Sequence, residues 1–149
     1  MLRKSAFRLA LLLPVAAACG GDSTGPPADD LVGTWNVTVA ELVSVASPNT
    51  RIDLIADLDY TATLVLEADG DFIFTVVDPV EGSMGGSGHW SSSDVLEMEF
   101  LAGQFDVTWQ FDLNLSGDTL RLTGGGAEWD FDDDGMEEDA RLNMTLVRA

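Results

Sequence analysis

The densest set of groups able to do chemistry is the acidic run from Trp129 to Asp139. Asp130, Asp132 and Asp134 stand at alternate positions and Gly135 follows, the spacing by which carboxylates converge on a hard cation while glycine takes the sharp turn. On that spacing the seventh ligand position is the Met136 carbonyl and the ninth is Glu138. The twelfth is Arg141, where a helical calcium loop needs a bidentate glutamate, so a loop here must close early, through Glu138 or Asp139. Calcium is the cofactor expected on this reading. The alternative is a solvated Asp-Gly hairpin turn in a chain rich in aspartate.

Catalytic groups are sparse. His89 is the sole histidine, which leaves no histidine-rich metal site, and Cys19 is the sole cysteine. Ser91, Ser92 and Ser93 follow His89 but lack the strand-turn-helix setting of an activated serine. Twenty-six acidic residues are present, yet no pair of them is marked out for glycoside chemistry. The chain is expected not to be an enzyme.

Cys19 has a chemistry of its own. Arg3, Lys4 and Arg8 precede an apolar run from Leu9 to Ala18 that is too short to span a bilayer, as in a secretory signal. Ala16, Ala17 and Ala18 then lead into Cys19, and here the chain resembles bacterial lipoprotein precursors, although that family more often has leucine where Ala16 stands. The resemblance implies cleavage after residue 18 and acylation of Cys19, so that the protein sits in the cell envelope on a lipid anchor. Gly20 in place of aspartate implies onward passage to an outer membrane where the host has one. Several acyl chains, at about 0.8 kcal/mol per buried CH₂, would make such attachment effectively permanent.

Removing residues 1–18 takes away three of the seven basic residues and leaves four against 26 acids, a net charge of about −22. So acidic a surface repels nucleic acid, which is excluded as a partner. Residues 19–30 are rich in Gly, Asp, Ser, Thr and Pro without apolar periodicity and are expected to form a flexible tether beyond Cys19. Residues 31–149 fit a single domain.

The elements of that domain read as β-strands. From Phe105 to Leu115 every second residue is apolar, which an extended chain places on one face and a helix would scatter. Trp35, Val37 and Val39 alternate likewise until a stumble at Ala40 and Glu41, which suggests a bulge. Leu58 to Leu66, Phe72 to Val77, Leu96 to Phe100, Leu120 to Leu122, Ala127 to Phe131 and Leu142 to Arg148 continue the pattern, while residues 51–56 allow a strand or a helical turn. Asp69-Gly70 and Gly117-Asp118 mark tight turns. Residues 82–88 are expected to be a flexible hairpin loop, and residues 124–126 to break a strand.

Eight to ten strands joined by short turns hide their edges best by closing on themselves, so the expected fold is an all-β, antiparallel up-and-down barrel, with a β-sandwich as the alternative. Gly33-Thr34-Trp35 on the first strand resembles the Gly-x-Trp motif of lipocalin-like domains. In that family the tryptophan packs across the closed end of the barrel beneath an arginine from near the chain's end, which implies that role for Arg148. The resemblance also implies a calyx for a small apolar ligand. Its lining is expected among the inward residues Tyr60, Leu64, Phe72, Phe74 and Trp90, with Met98, Phe100, Trp109 and Phe111 from later strands. Two roles follow: a membrane-tethered carrier of an apolar molecule, or a structural envelope protein with a filled barrel and an acidic, calcium-bound surface that docks to a partner protein.

Overall fold

The structure is a computed structural model and describes residues 25–149. The signal segment and Cys19 lie outside the described residues. The alternating segments form strands, since a period-two pattern buries all its apolar side chains only in an extended chain walling a core. In order they are β1 (Gly33–Ser44), β2 (Arg51–Asp53), β3 (Thr61–Leu66), β4 (Asp71–Asp78), β5 (Gly82–Ser92), β6 (Val95–Gly103), β7 (Thr108–Ser116), β8 (Thr119–Trp129) and β9 (Glu138–Arg148). One helical turn, α1 (Ala28–Leu31), precedes them.

Eight strands follow the order β1-β3-β4-β5-β6-β7-β8-β9, and β9 returns to pair with β1 from Trp35↔Arg148 to Ser44↔Ala140. All neighbours are antiparallel, so the fold is a closed antiparallel barrel. The sandwich alternative is overturned, because a sandwich keeps free sheet edges and here the first and last strands share a ladder. β2 is an added strand on the outer half of β1, pairing Glu41–Val43 with Arg51–Asp53, and it decides the segment that the sequence left open.

Three local expectations are corrected. The bulge in β1 lies between Val37 and Val39, ahead of the Ala40-Glu41 position, so Val39 turns outward and Ala40, Leu42 and Ser44 take the inward phase. Residues 82–88 are strand, not loop. A Cβ at Gly86 would stand 2.7 Å from the Phe100 ring, and one at Gly88 would collide with the Glu99 carbonyl, so these glycines let β5 and β6 approach closely. Residues 124–126 bend β8 without ending it: a bulge falls between Leu122 and Gly125, and Gly125 lies under the Phe111 ring.

Inside, a single apolar core runs from Leu31 through the barrel to Leu146. The outward positions of β7, Gln110, Asp112 and Asn114, are polar, while Val39, Ile73, Val77 and Leu101 are exposed apolar residues on other strands. No helix among the described residues is long and apolar enough to cross a membrane. Among the described residues, this core and the closing ladder lie between Leu31 and Arg148.

The wall opens between β7 and β8. β7 and β8 pair only over Asp112–Ser116 and Thr119–Thr123. Beyond that the strands part, and a groove of about 680 Å³ opens between Phe105, Val107 and Trp109 on one side and Gly126, Ala127 and Glu128 on the other.

Candidate functional site

The two ends of the barrel differ in the size of their inward side chains. At the end holding α1, Leu31, Trp35, Leu64, Leu66, Phe72, Leu96, Met98, Phe111, Leu120 and Leu146 are at most 1% exposed and fill the interior. Trp35 lies across this end with its indole N–H donating to the Leu31 carbonyl at 2.8 Å. The Arg148 guanidinium covers the ring, its carbon 4.2 Å from the centroid, and its nitrogens donate to the Val32 carbonyl at 2.9 Å and the Asp30 carbonyl at 2.7 Å. A Cβ at residue 33 would press on that guanidinium at 2.7 Å, which gives Gly33 its place beside the tryptophan. Residues 28–30 thus belong to the end cap, where a tether was expected to run through Asp30.

At the opposite end the inward positions shrink to Ala40, Ala62 and Ala127, and the space they leave is a cavity of about 450 Å³. That is within the usual range for small-molecule sites. Phe74, Val76, Leu142 and Met144 form walls, and Trp109 stands where the cavity meets the filled half, edge-on to Phe74 at 5.4 Å and to Phe100 at 4.9 Å. Leu54 and Ile55 fold over the mouth from the segment after β2. The Asp53 carboxylate pins that segment by accepting from the Ala40 and Ile55 backbone N–H groups, at 3.1 and 3.0 Å.

Of the nine residues expected to line a calyx, Tyr60, Phe74 and Trp109 do so. Leu64, Phe72, Trp90, Met98, Phe100 and Phe111 do not. They face inward as expected, but at other levels of the barrel, where the interior is packed. Met84, Phe105 and Trp129 join the lining, and so does Asp78, which the sequence reading passed over although it continues the Phe72, Phe74, Val76 phase.

Asp78 is the polar feature of the cavity wall and is 7% exposed. One carboxylate oxygen accepts from the backbone N–H groups of Val80 and Glu81, at 2.6 and 2.9 Å, and the other accepts a short hydrogen bond from the Tyr60 hydroxyl. That hydroxyl bond and the two backbone donors hold the Asp78 carboxyl below its usual range. The same bond to Asp78, then burial, then the negative charges of Asp78 and Glu81 push Tyr60 up to about 12. Glu81 and Glu128 are the other acidic residues of the lining, and no lysine, arginine or histidine among the described residues is part of it.

The acidic run forms the turn between β8 and β9 at this same end. Asp130, Asp132 and Glu138 bring one carboxylate oxygen each within 4.8 Å of one another, a set of hard donors able to hold a metal ion. Asp134 and Asp139 lie outside that set of carboxylates: the Asp134 carboxylate accepts from the Met136 N–H at 2.8 Å, and Asp139 lies in β9 opposite Glu128. A second triad, Glu67, Asp69 and Asp71, sits at the filled end, where His89 hydrogen-bonds Asp71 at 2.6 Å, outside the cavity. No family model matches this chain, and no curated protein matches it.

Proposed function

We propose that this is a cell-envelope lipoprotein, held by an acylated Cys19, whose barrel binds a small apolar molecule without transforming it. The observation that carries the binding role is the cavity itself. About 450 Å³ bounded mainly by alanine, aromatic and aliphatic side chains is unusual inside a protein, whose interior otherwise packs as densely as an organic crystal. The lipocalin-like assignment draws support from the Gly33, Trp35 and Arg148 arrangement at the filled end. Anchoring rests on the residues around Cys19 alone. A non-catalytic role accords with the position of the one histidine outside the cavity.

Native mass spectrometry of residues 25–149, purified without chelator, tests the reading: an adduct of a few hundred daltons, or uptake of an added apolar probe, is the expected result. Ala62→Phe fills the cavity from its wall and is expected to abolish uptake while leaving the melting temperature unchanged or higher. Probe binding that survives this variant places the ligand elsewhere and ends the proposal.

A calcium ion on the β8–β9 turn is the second reading, favoured by the convergence of Asp130, Asp132 and Glu138. Calcium takes six to eight oxygens, so water or backbone carbonyls would complete the set. Calcium at 100 times its Kd would add about 2.7 kcal/mol of stability. Equal melting temperatures in chelator and in millimolar calcium rule it out.

A further inference from the structure

We propose that the ligand is an apolar molecule carrying a positive charge, an alkyl or aryl ammonium, which enters through the seam between β7 and β8 and turns its charge toward Asp78, Glu81 and Glu128. This deepens the cavity-binding reading and rests on it.

The first argument is the sign of the lining. The buried Asp78 and the exposed Glu81 and Glu128 are the acidic residues lining an otherwise apolar space, and no cationic side chain among the described residues shares it. An anionic head group there would lose its water beside like charges with nothing to pair with, whereas an ammonium would be paired in a medium where charges interact more strongly than in water. The second argument is the chemistry of Asp78. Its carboxylate has about four lone-pair sites, of which Tyr60, Val80 and Glu81 use three, so one remains for a further donor. Its charge is held by these hydrogen bonds, with no cation among the described residues paired to it.

The third argument is the route. The groove along the seam shares Phe105, Trp109, Ala127 and Glu128 with the cavity, so the two spaces adjoin. Its charged residues are Asp106, Glu128, Glu137 and Asp139, and no basic group among the described residues lines it. A cation approaching a chain of this net charge meets attraction along the whole path.

A series sharing one tail separates charge from apolarity: octylammonium, octanol and octanoate, titrated at pH 7 against the complete chain and against residues 25–149. Quenching of Trp109 and Trp129 in the lining provides the readout. Octylammonium is expected to bind at least about tenfold more tightly than octanoate, equivalent to about 1.4 kcal/mol, with octanol between. Asp78→Asn is expected to erase most of that preference and to leave octanol affinity within about threefold, roughly 0.7 kcal/mol. Glu128→Gln, at an exposed position, carries the same test should Asp78→Asn fail to fold. Octanoate binding as tightly as octylammonium, or a preference untouched by both variants, overturns the charge assignment and leaves the cavity as an apolar site. No binding by any of the three, with Ala62→Phe unchanged from the parent, overturns the cavity reading as well.

Discussion

Tyr60 is the only tyrosine in the chain, so its ionisation can be followed by absorbance without interference from another phenol. The hydroxyl is held protonated to about 12 by Asp78. The expected titration midpoint therefore lies near 12 in the parent and falls toward the ordinary value of about 10 in Asp78→Asn. A midpoint near 10 in both proteins disproves the pairing. Because the folded value is the raised one, the unfolded chain loses its proton first as pH increases. This contribution to stability is complete below about pH 10 and is lost between about 10 and 12. Asp78 has the opposite sign: its folded carboxyl is lowered, so its contribution is complete above the ordinary carboxylate range and disappears as pH falls through the lowered value.

Among the strands, β5 and β8 show what glycine does in a barrel wall. Gly88 faces the Glu99 backbone too closely for a Cβ, whereas a Cβ at Gly126 meets nothing within 4 Å and its backbone needs no positive φ. Gly88→Ala is expected to cost more than about 2 kcal/mol, and Gly126→Ala to be neutral or to stabilise by about 0.4–1 kcal/mol. Denaturant midpoints of the two variants check the contrast. The same residues mark the limit of reading strands from sequence. Period-two alternation identifies β3, β4, β6, β7 and β9 and the face each turns inward, because it is written in side chains. Residues 82–88 carry too few large side chains to show a phase, so their strand resembles a loop. Phase is also silent about height along the barrel axis. That height depends on how far each strand is staggered against its neighbour. Inward residues such as Phe72 and Met98 therefore could not be told apart from Phe74 and Trp109, although the first pair lies in the packed half and the second beside the cavity. The three alanines that create the space were legible as small residues but not as neighbours.

For the whole molecule, the fastening at the filled end is Arg148, which joins the last strand to residues 116 and 118 positions earlier while covering Trp35. Charged hydrogen bonds are worth about 1.5–3 kcal/mol each and a partly desolvated cation–π contact about 1 kcal/mol or more, though these terms are not additive. Arg148→Ala is expected to lower stability by about 2–4 kcal/mol, and Arg148→Lys to recover only part of it, since an ammonium lacks the guanidinium fork. Equal unfolding midpoints for the parent and Arg148→Ala would show that the cap does not hold the barrel. The closing ladder between β1 and β9 also orders events in time. Hairpins from β3 to β8 join neighbours in sequence and can form as soon as both strands are free, but β1 keeps an open edge until β9 arrives. Contacts of such long separation are the slow ones in folding. A chain synthesised from its N-terminus thus stays incomplete until its ninth strand is free, so the latch of the barrel is the last of its strands to be made.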